Sequence, residues 1–304
     1  MNNDMEYMQF LDEIKERVEV RFNGKVTGEV CTSLKNNGVK VTGLMLKSAE
    51  ERVAPNFYLE NQFVEWMRGL RTMEEISERL CDAYKEEIDR SRNLLSEIQF
   101  SWEEFRDNVF LRLINQEKNK ELLETIPHRK FLDLAVVYYY SVHIGDDVQG
   151  SMVITNEHLN LLKITEEELY DTAKNNGEKF QPVRIRCMED LLYELGRKMG
   201  VEVLKTETEQ PILYVMTNTK SMFGAVSMTF AEELECFSMQ IENNFYLLPS
   251  SVHELILVPE CEKFCQEYFK SMVQEINATQ VDATEVLSDN IYFYDKETKH
   301  LSIC

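Results

Sequence analysis

Two short apolar runs, Phe245–Leu248 and Leu255–Val258, most constrain the fold of this chain. Apolar runs of roughly four to eight residues that end at turn residues are typical of core strands. The break between the two runs holds a proline, two serines, a histidine and a glutamate. The pattern predicts a strand, a corner and a second strand at the centre of a C-terminal sheet.

The turn and capping signals elsewhere divide the chain into strands and helices. Asn36-Asn37-Gly38 between two β-rich runs predicts a hairpin, because Asn and Gly tolerate positive φ. Pro259 predicts the first turn of a helix, and Asn175-Asn176-Gly177 predicts a helix end. Capping boxes, in which Ser or Thr precedes Glu by three residues, predict helix starts. They begin at Thr72, Ser101, Thr165 and Thr229.

The order of these signals favours an α+β fold with antiparallel or mixed sheets and packed amphipathic helices. Lys130–His143 is rich in Val, Tyr and Phe and predicts one long strand, and Ala225–Met228 predicts a short one. A polar stretch near Ser91–Gln99 marks a boundary. We therefore expect an N-terminal helix, hairpin and helix region over residues 1–95 and a C-terminal α+β domain over residues 96–304.

Charge and cysteine content restrict the partners and the compartment. The chain has 304 residues, and its 54 acidic and 33 basic side chains give a net charge of −21. Binding to a phosphate backbone needs a basic face, so nucleic acid is not an expected partner. Seven cysteines without framework spacing, no secretory signal and no membrane-spanning apolar run predict a cytoplasmic protein with free thiols. A nucleic-acid mimic would require a continuous acidic stripe along one face.

Several sequences resemble an uncharacterised domain-of-unknown-function family of gut Firmicutes bacteria. The clearest are Leu247-Leu-Pro-Ser-Ser-Val-His-Glu254 and Leu287-Ser-Asp-Asn-Ile-Tyr292. Asn36–Leu44, Pro55–Leu59, Ile154–Leu159, Ile164–Leu169 and Leu213–Asn218 also match, so the resemblance covers most of the chain. The C-terminal part is also similar to a second uncharacterised bacterial family. The resemblance implies a bacterial cytoplasmic protein and carries no activity or site residues.

The corner between the two apolar runs holds the best candidates for catalysis. Ser250, Ser251, His253 and Glu254, together with Asp289, would suit a hydrolase-like or ligand-binding enzyme. In one extended run, however, the Cβ atoms of Ser251 and His253 would lie about 6–7 Å apart, which makes a direct bond awkward. No G-x-S-x-G elbow is present. The favoured interpretation is a structural corner in which Pro249 and the serines turn the chain and His253 bonds a backbone carbonyl.

Three other groups are weaker candidates. His143, Asp146 and Asp147 could ligate a metal, although Asp beside Gly is ordinary turn chemistry. Cys261 and Cys265 would share a face of a predicted helix and behave as small buried hydrophobes. Tyr138-Tyr139-Tyr140 alternate across a strand, so one face is expected in the core while the other could contact a partner. We predict no bound metal and no cofactor.

These observations favour a non-enzymatic protein that binds another protein, and they leave enzymatic activity uncertain. The reasons are the lack of a convergent catalytic set, the acidic composition and the presence of only five histidines. The alternative is a hydrolase-like or small-ligand-binding enzyme with its site around His253 and Glu254. Nucleic acid and membranes are not expected partners.

Overall fold

The computed structural model describes residues 2–51, 53–97, 101–144, 148–201, 212–249 and 251–304. The chain forms two compact units. The first unit runs from the N-terminus to residue 99, without the turn Asn36–Gly38. That turn belongs to the second unit, together with most of the residues from 101 to 304.

In the part of the first unit that the structure describes, a three-stranded antiparallel sheet packs with three helices. Its strands pair in chain order, and α1 and α3 supply much of the apolar core. Thr72 and Glu75 form the predicted capping box, because each side chain accepts the other residue's backbone N–H. The elements are α1 (Asn2–Arg21), β1 (Val26–Leu34), β2 (Lys40–Ser48), β3 (Asn56–Phe57), α2 (Glu60–Met67) and α3 (Met73–Glu97).

The predicted turn at Asn36–Gly38 is confirmed as the connection between β1 and β2. Asn37 and Gly38 have φ of 62° and 69°, the left-handed region that Asn and Gly adopt at low cost. The three residues form a single 3-10 turn.

The second unit contains two further sheets and seven helices within the described residues. The helices are α4 (Trp102–Phe105), α5 (Lys120–Leu123), α6 (Asn156–Leu162), α7 (Glu166–Phe180), α8 (Met188–Met199), α9 (Ala231–Ile241) and α10 (Gln266–Thr279). The strands are β4 (Val109–Asn115), β5 (His128–Phe131), β6 (Leu134–Ile144), β7 (Val148–Val153), β8 (Val183–Cys187), β9 (Tyr214–Asn218), β10 (Phe245–Leu248), β11 (Leu255–Pro259), β12 (Tyr292–Asp295) and β13 (His300–Ile303). The predicted α+β fold is confirmed.

The predicted strand–corner–strand is confirmed as the centre of the larger sheet. That sheet has the order β13-β12-β10-β11-β9-β8, and its paired strands are antiparallel. Leu247 lies opposite Leu257, and both side chains are fully buried. The two apolar runs therefore pair with each other, and their corner lies beside β9.

The long strand predicted over Lys130–His143 is confirmed from Leu134 onward as β6, but its predicted start is wrong because the chain reverses between Phe131 and Leu134. β5 and β6 form an antiparallel hairpin in which Phe131 pairs with Leu134. Leu132 has a φ of 56°, a conformation that no composition signal predicted. β6 then pairs with β4 and β7, so it lies inside the four-stranded sheet.

Three other local predictions, a helix start, a short strand and a helix cap, are also wrong. Pro259 ends β11 opposite Phe245, because the ladder with β10 continues as far as the N–H of Glu260. Ala225–Met228 lies within a buried 3-10 helix, which short apolar runs cannot distinguish from a strand. The hydroxyl of Thr229 donates to the carbonyl of Val226 and completes that helix rather than capping α9.

The helix end predicted at Asn175–Gly177 is wrong, because α7 continues to Phe180. Asn176 is buried and donates to the backbone carbonyls of Arg106 and Val109. The amide therefore serves tertiary packing instead of a turn. Thr165 accepts the N–H of Glu168 as predicted, whereas Ser101 precedes α4 without a side-chain capping bond. No described helix is apolar over a stretch long enough to cross a bilayer.

Candidate functional site

The candidate site lies at the corner between β10 and β11, where four segments of the second unit meet. Arg112 comes from β4, Phe223 from the loop after β9, His253 from the corner and Glu285 from the segment between α10 and β12. These residues are far apart in the sequence, and only His253 was predicted as a site residue. The cluster has the mixed cationic, aromatic and acidic character of a binding site.

His253 has one polar partner at each side of its imidazole, a hydrogen bond at Nδ1 and an acidic side chain near Nε2. The backbone N–H of Phe223 donates to Nδ1 at 3.2 Å, so the neutral ring carries its proton on Nε2. Nε2 lies 3.4 Å from Oε1 of Glu285. The expected bond to a backbone carbonyl is therefore wrong, because the ring accepts a backbone N–H. The expected carboxylate partner also differs, since Glu285 rather than Glu254 faces the imidazole.

The two other predicted residues of the corner do not join the ring of His253. Ser251 Oγ accepts the backbone N–H of His253 at 3.0 Å, which makes a local serine turn. Glu254 is exposed. Ser250 lies outside the described residues. With Nδ1 occupied, the imidazole has no free lone pair for a serine hydroxyl in this arrangement.

Phe223 is the centre of the cluster. Its ring stacks on the imidazole of His253 with a centroid distance of 5.4 Å and an interplanar angle of 16°. The guanidinium carbon of Arg112 lies 4.3 Å from its centroid, a cation–π geometry. Tyr139 packs edge-on against it at 4.8 Å. Phe223 therefore links the imidazole to the cation.

Arg112 is an unusual arginine for this chain. Its Nε is completely enclosed and has no hydrogen-bond partner among the described residues. Burial lowers the pKa of the guanidinium to about 10, while the nearby carboxylate of Glu285 acts in the opposite direction. By contrast, Arg129 binds both carboxylate oxygens of Glu166.

The loop after β9 is built to place Phe223. Phe223 has a φ of 55° and Ser221 a φ of 52°, so two residues with side chains occupy the left-handed region. A Cβ on the next residue, Gly224, would lie 2.2 Å from Oγ1 of Thr217 and 2.7 Å from the carbonyl oxygen of His253. Thr217 itself donates to that carbonyl. Only glycine fits between the loop and the corner.

Side-chain amides also hold this loop in place. Asn218 donates to the carbonyl of Met222 and accepts the backbone N–H of Lys220. Its amide also donates to Gln181, which bonds the hydroxyl of Tyr139. Burial raises the pKa of Tyr139 to about 12, so this hydroxyl stays protonated at neutral pH.

The remaining predicted candidates lie elsewhere. His143 is in β6, and Asp146 and Asp147 lie outside the described residues. Asp289 accepts from Asn277 and pairs with Lys118 rather than with His253. No group of three or more potential metal-ligating side chains occurs in the described ranges.

The cysteine and tyrosine predictions need correction. Cys261 lies before the turn that precedes α10 and is partly exposed, and Cys265 is the exposed N-cap of α10, so the two neither share a helix face nor are buried. The reason is that β11 extends through Pro259, which delays the helix to Gln266. Tyr138 and Tyr139 are both buried, which covers both faces of β6 and removes the predicted exposed aromatic face.

The motif Leu287–Tyr292 has a structural role in the second unit. Asp133 in the β5–β6 turn accepts hydrogen bonds from Ser288, Asn290 and Tyr292. Asn115 of β4 also donates to the carbonyl of Leu287. The motif therefore joins the four-stranded sheet to the six-stranded one through several hydrogen bonds.

The model of a family of unknown function, DUF5688, matches residues 7–296. The chain belongs to this family. The match includes every residue of the cluster, from Arg112 to Glu285. DUF5688 carries no assigned activity, and no curated protein and no solved structure matches this chain.

Sequence reasoning missed Arg112, Phe223 and Glu285. Arg112 sits in an otherwise apolar strand sequence, Val109-Phe-Leu-Arg-Leu-Ile114, and this lone charge was the one available signal. A charged residue in such a run is seldom buried without a partner. Phe223 and Glu285 carry no comparable signal, because only the tertiary fold brings them to His253.

Proposed function

We propose that this protein acts by binding another protein through the outward face of α8. The observation that carries the proposal is an exposed apolar stripe on that helix. Leu192, Leu195 and Met199 are 49%, 53% and 69% exposed. Their spacing of three and four residues places them on one face of the helix.

Three other helices of the second unit bury apolar residues that α8 leaves exposed. α7 buries Leu169 and Ala173, α9 buries Leu234 and Phe237, and α10 buries Phe269 and Val273. In α8 the one buried residue is Gly196. Single exposed apolar side chains are common on protein surfaces, but a continuous stripe is typical of an interaction site.

Charge around α8 indicates the chemistry of the partner. A hydrogen bond from Arg186 and the nearby charges of Lys198 and Arg184 lower the pKa of Glu194. On and beside α8, the four cations Arg184, Arg186, Arg197 and Lys198 outnumber the three carboxylates Glu189, Asp190 and Glu194, whereas the whole chain carries −21. We propose that the partner presents an amphipathic helix with apolar side chains flanked by carboxylates.

The setting that we propose is the cytoplasm of a bacterium, with neither nucleic acid nor a membrane as partner. The acidic composition supports the exclusion of nucleic acid, because a phosphate backbone would be repelled. The seven free cysteines suit a reducing compartment.

A second candidate function is small-ligand binding around His253, with hydrolase-like chemistry as its enzymatic form. The enclosed and unpaired Nε of Arg112 favours it, because a buried guanidinium without an acceptor is costly. The occupied Nδ1 of His253 supports binding rather than hydrolysis at this cluster.

Site-specific photo-crosslinking in the native host tests the proposed protein partner. A photoreactive residue at Leu195 is expected to capture one predominant protein, and the crosslinked peptide is expected to be an acidic amphipathic segment. The matched control is the same residue at Met239, which is 63% exposed on α9. In a binding assay with the captured partner, Leu192→Ser combined with Leu195→Ser is expected to weaken affinity at least tenfold.

Three results would contradict the proposal. The first is equal capture from positions 195 and 239. The second is capture of another copy of this chain from position 195. The third is a captured segment that is basic or lacks an apolar face.

A further inference from the structure

We propose that Arg112, Phe223, His253 and Glu285 bind a small organic carboxylate that also carries a hydroxyl group. This inference rests on the second candidate function and names its ligand class. It is independent of the stripe on α8. The four residues come from four separate segments of the second unit.

The guanidinium of Arg112 supplies the carboxylate-binding group. Arginine presents five N–H donors in a planar fork that matches the two oxygens of a carboxylate. The described residues provide no hydrogen-bond acceptor for the enclosed Nε, and the guanidinium is instead stacked on Phe223. Most other arginines in the described ranges pair with a carboxylate, as Arg186 does with Glu194. An arginine held rigidly without such a partner is preorganised for an anion from solution.

Solvent reaches the cluster on the side of His253 and Glu285. Their side chains keep 28% and 48% of their surface exposed. Arg112 as a residue is also partly exposed, although its Nε is not. A small solute therefore has access, whereas a large one would have to displace the packed ring of Phe223.

Glu285 determines what else the ligand carries. Its carboxylate lies close enough to Arg112 for its charge to influence the guanidinium, and 3.4 Å from Nε2 of His253. It would repel a dianion such as phosphate, and it accepts hydrogen bonds. A ligand with one carboxylate to pair with Arg112 and one hydroxyl to donate a hydrogen bond to Glu285 provides a partner for both groups.

The geometry of the loop supports a function beyond packing. Phe223 occupies the left-handed region and Gly224 leaves no room for a Cβ. Backbone strain of this kind persists where the surroundings enforce it, and it clusters at ligand-binding sites. A packing role alone would be filled by an apolar side chain at position 112 at lower cost.

The test measures binding of three probes to the full-length protein by titration calorimetry. The probes are L-lactate, propionate and inorganic phosphate. L-Lactate is expected to bind, and propionate, which lacks the hydroxyl, is expected to bind at least tenfold more weakly. Arg112→Met is expected to reduce lactate affinity at least tenfold and to raise Tm by at least about 2 °C, because it removes a desolvated charge.

The matched control is Arg106→Met, which removes a guanidinium that is 57% exposed and is expected to leave binding unchanged. Glu285→Gln keeps an acceptor but is expected to reduce the preference for lactate over propionate. The imidazole resonances of His253 are expected to shift on addition of lactate.

Each contrary result has a distinct meaning. Binding of phosphate without lactate overturns the ligand class and leaves ligand binding at the cluster intact. Absence of binding by all three probes overturns the ligand class and the second candidate function together. Lactate binding that survives Arg112→Met, or a lower Tm in that variant, overturns the role given to Arg112.

Discussion

Gly224 is the residue whose replacement the structure resists most directly. A Cβ at this position would lie 2.2 Å from Oγ1 of Thr217 and 2.7 Å from backbone atoms of Asn218 and His253. Backbone atoms cannot move away from an added methyl group as the end of a flexible side chain can. We expect Gly224→Ala to reduce the free energy of unfolding by about 1–3 kcal/mol, the usual cost of overpacking. Urea denaturation measures this change.

Gly177 is the matched control for this prediction. It lies in α7, and an added Cβ would meet only the ring of Phe230 at 3.8 Å, an ordinary contact. Gly177→Ala is therefore expected to raise the free energy of unfolding by about 0.5–1 kcal/mol, since alanine loses less backbone entropy in a helix. Equal effects of the two substitutions would show that the loop after β9 relaxes around an added methyl group.

Glu166 makes the stability of the second unit depend on pH. Burial acts to raise the pKa of its carboxyl group, but hydrogen bonds from Arg129 and Tyr138 outweigh that effect and leave the pKa below its usual value of 4.5. A lowered folded-state pKa contributes stability that is complete above the unfolded value and is lost as pH falls through the folded value. We therefore expect Glu166→Gln to be destabilising at pH 7, and we expect this difference from wild type to shrink as the pH falls below 4.5.

Urea midpoints across this range check the prediction. Glu167→Gln is the control. Glu167 is exposed in the same first turn of α7, and its substitution removes the same charge. A difference between Glu166→Gln and wild type that stays constant from neutral to acid pH would contradict the link to ionisation.

At the scale of elements, the β10–β11 pair is the centre of the larger sheet. Leu248 and Leu257 are 2% and 0% exposed. Truncation of a buried leucine removes its apolar contacts and leaves a cavity, so Leu248→Ala or Leu257→Ala is expected to cost about 2–5 kcal/mol. Ile303→Ala on edge strand β13, where the side chain is 42% exposed, is expected to cost less than about 1 kcal/mol. Denaturant melts that show under about 0.5 kcal/mol for the leucines would contradict their core role.

The elements that the sequence predicted are those with a local physical cause. Asn37 tolerates positive φ and Gly38, which has no Cβ, adopts it freely, and the side chain of Thr165 caps α7 by accepting the N–H three residues later. The errors arose where tertiary packing prevailed. Asn176 stays helical because its amide bonds two distant carbonyls, and Pro259 stays in a strand because its neighbour Phe245 pairs with it.

The same distinction applies to the candidate site. His253 was predicted because a histidine in a corner is visible in the sequence, yet its acidic partner is Glu285 rather than the adjacent Glu254. Arg112 and Phe223 lie 111 residues apart in the sequence. No pattern in one sequence links them, because their contact depends on how two sheets pack.

At the scale of the whole molecule, the second unit depends on a turn that lies outside its main run of residues. Asn37 donates from Nδ2 to the carbonyls of Ala283 and Val286. It also exchanges hydrogen bonds with Asn119. Asn36 adds a bond to the carbonyl of Thr284. The segment that these amides fix includes Glu285 of the candidate site.

We therefore expect Asn37→Asp to destabilise the full-length protein and to loosen the segment around Glu285. Aspartate tolerates the positive φ of this turn but loses two donors and places a carboxylate against two carbonyl oxygens. The expected cost is about 1–3 kcal/mol, measured by urea denaturation. Amide hydrogen exchange at Val286 is expected to accelerate. Asn37→Gly is the control, because it keeps the backbone conformation and removes the donors without adding charge. If the amide of Val286 exchanges at the wild-type rate in both variants, the turn does not fix the segment around Glu285.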